Sequence, residues 1–184
     1  MSGCSRVESS TSMSANNKLP LGFRFFVGGG VEVRRAGPGD AGALGRVAFA
    51  AKGHWGYPER WMELWREDLE VSPGFVRENE VYVAVSGGRA VGFYALVGGG
   101  RELNLEHLWV LPAWIGTGLG RTLFEHAMRR AAELGARMVR IESDPNAEGF
   151  YRRMGARRTG ENVYEMEGRE RVLPVMVVEL PKAR

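Results

Sequence analysis

The residues best placed to do chemistry form one segment, Leu108-Trp109-Val110-Leu111-Pro112-Ala113-Trp114-Ile115-Gly116-Thr117-Gly118-Leu119-Gly120-Arg121. It opens as an apolar, β-rich run, passes through a glycine turn and continues with helical periodicity. Gly116, Gly118 and Gly120 alternate, so no Cβ keeps an anion away from the backbone N–H groups. A helix starting here adds unsatisfied donors and the positive end of its dipole. Arg121 can add a direct charge. Strand, glycine turn and helix in that order predict a phosphate site. On this segment alone, the same glycines also suit a tight turn with close packing.

The spacing rules out some phosphate ligands. It is not G-x-x-x-x-G-K-[ST], so a P-loop is excluded. It is not G-x-G-x-x-G, because residue 121 is Arg. A dinucleotide site would also need alternating βα units, and the preceding sequence has none. Val81–Val85 and Ala90–Val97, separated by Ser86-Gly87-Gly88-Arg89, predict an antiparallel hairpin.

The elements that must position this segment follow from pattern. Val31–Arg35 predicts a first strand, Pro38-Gly39-Asp40 a turn with an N-cap, and a helix runs to about Ala51. Trp61, Leu64, Trp65 and Leu69 predict a second helix over Glu59–Leu69. Glu102–Leu111 is a strand ended by Pro112. The following helix buries Leu119, Leu123, Phe124, Ala127, Ala131 and Leu134, with Gly135 past its end. Arg137–Glu142 is a strand and Pro145–Met154 a short helix. Strands around Ala156–Gly160 and Leu173–Leu180 close the domain. The order predicts an α/β fold with a mixed sheet and helices on both faces, not a doubly wound parallel sheet.

Bulk properties narrow the function classes. The 184 residues suit one domain with a full core. Residues 1–18 are Ser- and Asn-rich and predict disorder; residues 1–30 are expected to be a disordered or loosely packed extension and 31–184 the domain. Net charge is +3 with both signs interspersed, so no nucleic-acid face is expected. The single cysteine, Cys4, allows no internal disulfide. His54, His107 and His126 lack metal-ligand spacing, so no metal is expected. No apolar run suits a membrane span and no signal-peptide pattern opens the chain. A cytoplasmic protein without a membrane partner is the expectation.

The glycine segment resembles motif A of the GNAT superfamily of N-acetyltransferases, whose [RQ]-G-x-G-x-[GA] loop binds the CoA pyrophosphate. A second block, Asp144-Pro145-Asn146-Ala147-Glu148-Gly149-Phe150-Tyr151-Arg152-Arg153-Met154-Gly155-Ala156, resembles motif B. Both blocks stand in the family's order and separation. The resemblance extends to Lys52-Gly53-His54-Trp55-Gly56-Tyr57 and to Leu173-Pro174-Val175-Met176, covering roughly residues 31–180. It implies a mostly antiparallel sheet of six or seven strands and an acetyl-CoA-dependent N-acetyltransferase. Homodimers are frequent in the family. The sequence departs at Ile115, where the family has Arg or Gln touching the pyrophosphate. The glycine backbone and Arg121 must then carry that contact, and a non-catalytic acyl-CoA-binding module is the alternative reading.

The resemblance also implies roles. Backbone groups of Leu108, Trp109 and Val110 would pair with the pantetheine amides, and the Val110 N–H would polarise the thioester carbonyl. Gly116, Thr117, Gly118, Leu119, Gly120 and Arg121 would hold the pyrophosphate. Asn146 would hydrogen-bond the pantetheine arm, and Tyr151 would sit near the sulfur and protonate the departing thiolate. Without the motif, Tyr151 reads as a residue packing a helix on a sheet, with its hydroxyl satisfied at the edge.

The acceptor would be a small-molecule amine or a peptide amine. Neutralising a primary amine at pH 7 costs about 4–5 kcal/mol, so a base is useful. Glu106 is the candidate: period-two alternation puts it on one face with Asn104, Leu108 and Val110, with His107 opposite. Family members often place an acidic base on that strand. A solvated strand carboxylate is the alternative, and Glu142 is a second candidate. Trp55 and Tyr57 lie where the family builds its acceptor pocket, and Trp55 also reads as core.

Overall fold

A computed structural model describes residues 25–27 and 30–181; the disorder expected for residues 1–18 lies outside them. The strands are β1 (Phe25–Val27), β2 (Val31–Arg35), β3 (Glu80–Ser86), β4 (Arg89–Gly99), β5 (Glu102–Val110), β6 (Met138–Glu142), β7 (Arg157–Met166) and β8 (Arg169–Glu179). They form one sheet in the order β1-β2-β3-β4-β5-β6-β8-β7. β2 to β8 make up the expected seven strands, and β1 adds an edge beside β2. Only β5 and β6 pair in parallel; every other neighbouring pair is antiparallel.

The helices are α1 (Ala41–Gly53), α2 (Glu59–Leu64), α3 (Pro73–Glu78), α4 (Leu119–Glu133) and α5 (Glu148–Arg153). They cover both faces. On one, Leu119, Leu123, Phe124, Ala127 and Ala131 of α4 and Tyr151 of α5 pack on Leu103, Leu105, Tyr94 and Ile141. On the other, Leu44, Val47 and Ala48 of α1, Met62 of α2 and Val76 of α3 pack on Val81, Val83 and Phe93.

Some boundaries differ from expectation. The second helix ends at Leu64, which is exposed, as is Leu134 beyond α4. Trp65 and Leu69 stay buried because the Leu69 N–H still reaches the Trp65 carbonyl through the turns that follow. α3 escaped the pattern reading, although Ser72-Pro73 is an N-cap and first-turn pair; the Ser72 hydroxyl accepts from the Phe75 N–H at 3.0 Å. β7 and β8 extend well past the expected strands and meet at Glu167-Gly168. Their outer halves are largely exposed, Val163 and Tyr164 included, so backbone pairing rather than alternation holds them.

Gly92 sets how closely α4 approaches the sheet. A Cβ there would lie 2.9 Å from the Trp109 carbonyl oxygen and 3.0 Å from the Leu123 Cδ1. Gly92→Ala is therefore expected to destabilise the fold by about 1–3 kcal/mol, the usual cost of overpacking. Urea or thermal unfolding followed by circular dichroism measures it.

Candidate active site

The cleft begins where β5 leaves β6. The two strands pair over Glu102–Asn104 and Met138–Arg140 only. Beyond that, Leu105 to Val110 have β4 on one side and no strand on the other, leaving backbone donors and acceptors along an open edge. A bulge lies in the same stretch: Leu96 faces Leu105 while Ala95 faces His107, so Glu106 is the extra residue. Bulges re-aim the strand and its side chains.

The bulge overturns strict alternation. Leu105 and Leu108 both pack in the α4-side core, with two residues between them. Glu106 therefore does not share a continuous face with Asn104, Leu108 and Val110. It is exposed, and no hydrogen bond or ion pair reaches it among the described residues. His107 is packed against Phe75 and Phe93 on the α1 side, and its Nδ1 accepts from the Trp109 Nε1–H at 3.0 Å. Burial lowers its pKa to about 4, so it is neutral and structural.

At the end of β5 the chain turns into α4 through the glycines. Gly116 and Gly118 have φ of +81° and +92°, and nothing stands within 4 Å of the Cβ position of either. The open space and the left-handed backbone fit an anion held by main-chain N–H groups. Gly118 precedes the first turn of α4, whose Leu119, Gly120 and Arg121 N–H groups have no intrahelical acceptor. Gly120 lies against Phe150 and Val110, locking the loop to α5 and β5. Ile115 is exposed, and the Arg121 Nε–H donates to Glu125 at 2.9 Å along the helix surface.

On the far side of the cleft, α5 brings in Tyr151. Its ring is buried with Phe124 and Phe150, and its hydroxyl has no hydrogen bond among the described residues. Burial, with the nearby Asp144 charge, raises its pKa above the ordinary tyrosine value, so the phenol stays protonated.

Asp144 caps the turn that leads into α5, and its carboxylate gathers residues from distant elements. It accepts from Lys52 Nζ at 2.6 Å, the Tyr57 hydroxyl at 2.8 Å, Arg171 at 3.2 Å, and the Asn146 backbone N–H and Nδ2 at 3.0 Å each. Burial pushes this carboxyl up, but Lys52 and the hydrogen bonds win and hold it below the ordinary carboxylate range. Lys52 lies 4.5 Å from the Trp65 ring centre and 5.0 Å from that of Tyr57, and Arg171 lies 4.7 Å from Trp65. Aromatic faces thus replace part of the hydration both cations lose.

The aromatic wall beside Asp144 continues outward. Trp55 is exposed and, among the aromatic rings of the described residues, meets only His54, edge-on, so it is not core. Tyr57 stacks on Trp61. The Trp61 Nε1–H donates to Glu167 at 2.7 Å, and Arg60 pairs with the same carboxylate, tying the β7–β8 tip to α2. Glu142, at the end of β6, accepts from Asn162 and from the Tyr164 hydroxyl.

Residues 62–172 match the family model for the acetyltransferase (GNAT) domain, more than half of the chain. The chain belongs to the GNAT family. It is 34% identical over 128 residues to serotonin N-acetyltransferase 2, chloroplastic, of Oryza sativa subsp. japonica, covering 68% of this chain and 61% of that protein. It is 36% identical over 97 residues to the peptidyl-lysine N-acetyltransferase YjaB of Escherichia coli K12, covering 52% and 60%. The chain thus spans about three fifths of the length of these curated relatives. The crystal structure of PaiA N-acetyltransferase from Thermoplasma acidophilum in complex with coenzyme A superposes with a TM-score of 0.63 at 20% identity, covering 81% of this chain and 98% of that one. The GNAT fold class read from the two motifs is the observed one.

Within this GNAT domain, β5 runs unpaired with β6 past Asn104 into the glycine loop, Gly120 of that loop packs on Val110 and on Phe150, and Asn146 and Tyr151 come from the turn and helix that follow β6. Trp55 and Tyr57 lie on the α1 side. Lys52, Asp144 and Arg171 escaped the sequence reading as a unit. The signal was thin: each belongs to a different segment, and only the fold joins them. No group of three or more His, Cys, Asp or Glu among the described residues is arranged to hold a metal, and no described helix is long and apolar enough to cross a membrane.

The buried histidines give a pH dependence. His107 and His126 are both lowered to about 4, mainly by burial, from an ordinary 6.5. The unfolded chain takes up these protons first, so stability falls as pH drops from 6.5 toward 4. Unfolding midpoints across that window are expected to show the decline, with a flatter profile for His107→Gln, whose amide oxygen can still accept from Trp109.

Proposed function

We propose that this protein transfers an acetyl group from acetyl-CoA to a primary amine, by direct attack within a ternary complex. Three features support the reading: the left-handed, open glycine turn at Gly116–Gly118, the strand edge at Leu108–Val110 that β6 leaves unpaired, and a protonated Tyr151 phenol with no hydrogen bond among the described residues; Gly120, packed on Val110 and Phe150, ties the turn to both β5 and α5. An extended amide-bearing arm would add to the β5 edge as a strand, its pyrophosphate cradled by that turn and its thioester near the Val110 N–H.

The amine nitrogen attacks the thioester carbon, the C–N bond forms, and the C–S bond breaks. Val110 N–H would stabilise the oxyanion formed in between. Tyr151 would give its proton to the leaving thiolate. Glu106, exposed at the bulge, is our choice for taking the amine proton, directly or through water; Glu142 is the competing carboxylate. The names of two relatives, a serotonin N-acetyltransferase and a peptidyl-lysine N-acetyltransferase, agree with a primary amine as acceptor class. A second reading, an acyl-CoA-binding module without turnover, draws on exposed Ile115 and on Arg121 being turned to Glu125.

Free-thiol release from acetyl-CoA with a panel of amines separates the two readings. Saturable CoA binding with no release on any amine supports the module. Tyr151→Phe is expected to lower kcat about a hundredfold with CoA affinity near wild type; unchanged kcat removes the acid role. Gly118→Val puts a β-branched side chain where φ is +92° and is expected to abolish CoA binding by calorimetry. Wild-type affinity there would show that the cradle lies elsewhere.

A further inference from the structure

The Asn146 side chain can meet a ligand with either its carbonyl or its amide nitrogen, and the surrounding protein decides which. Nδ2 lies 3.0 Å from Asp144 Oδ1 and 3.0 Å from the Tyr57 hydroxyl. An ionised carboxylate only accepts. Lys52 and Arg171 both sit against Asp144, so it is ionised and the group facing it must be the NH2. The reverse flip would set the Asn146 oxygen against the carboxylate. Tyr57 completes the arrangement: its proton goes to Asp144, and its oxygen accepts the second Nδ2 hydrogen. Both amide hydrogens are used, and Oδ1, on an exposed residue, has no partner among the described residues.

We infer that Tyr57, with Asp144, is a positioning residue for the cofactor: it holds the Asn146 amide so that Oδ1 is offered as an acceptor to an N–H of the pantetheine arm. This rests on the reading of the cleft as a CoA site. It departs from the expectation that Tyr57 serves the acceptor. The Tyr57 hydroxyl is committed inside the protein, and its ring packs on Trp61 and Trp65. A residue of the amine-side loop therefore sets affinity on the thioester side. Its own hydrogen bonds to Asp144 and Tyr57 hold the amide in the orientation that presents Oδ1, which limits the ordering cost of binding.

The test is a double-mutant cycle read by direct titration of CoA, without any amine. Tyr57→Phe removes one hydroxyl and keeps the packed ring, and a thermal melt checks that the fold persists. Tyr57→Phe and Asn146→Ala are each expected to weaken CoA binding about fivefold, the scale of one hydrogen bond. The double variant is expected to bind no more weakly than Asn146→Ala alone, because Tyr57 acts only through Asn146. Wild-type affinity in Tyr57→Phe overturns the inference, as does wild-type affinity in Asn146→Ala. Losses that multiply in the double variant also overturn it, since a merely structural Tyr57 would act independently of Asn146. If the wild-type protein itself fails to bind CoA, the functional reading falls instead.

Discussion

The separation of β5 from β6 is the constraint on which the rest of this molecule depends. Parallel strands normally continue side by side, because each leaves donors and acceptors that the other satisfies. Here pairing stops after Asn104, and the bulge at Glu106 turns β5 away. The vacated edge is not filled by another strand. The glycine loop lies beyond its end, and Gly120 of that loop packs on both Val110 of β5 and Phe150 of α5. Gly92 serves the same geometry from behind, by letting α4 lie close against β4 and β5.

The two sides of the gap are built on different physics. The α4 side uses main-chain donors, left-handed glycines and a helix terminus, none of which carries a titrating group. The α1 side is a buried ionic network walled by aromatic rings. A buried ion pair is rarely a net source of stability, since desolvation offsets much of the attraction. The Lys52–Asp144 pair, with both side chains only 9% exposed, is better understood through what it orients. Its carboxylate is the shared point of α1, the loop after it, β8 and the start of α5.

Much of this was legible in the sequence because local chemistry carried it. The glycine spacing, the hairpin turn at Ser86–Arg89 and the apolar stripe of α4 each have a short-range cause, and the motif blocks joined them into a family. What escaped has a long-range cause. A bulge adds one residue to a strand without changing its composition, so alternation placed Glu106 with Leu108 when pairing with β4 shows otherwise. Asp144 reads as a turn residue until Lys52 and Arg171 converge on it across the fold. The outer halves of β7 and β8 lack any apolar rhythm, since they lie largely exposed.

That hairpin has a mechanical consequence. Its inner part is clamped by β6, while its tip is pinned to α2 through Glu167, the one described non-glycine residue with positive φ. An exposed pair of this kind contributes little free energy. The hairpin is therefore a cantilever, stiff at the root and lightly latched at the end. Lifting the latch would free the tip while the root, held on β6, keeps its place in the sheet, so movement there need not disturb the strands at the centre of the fold.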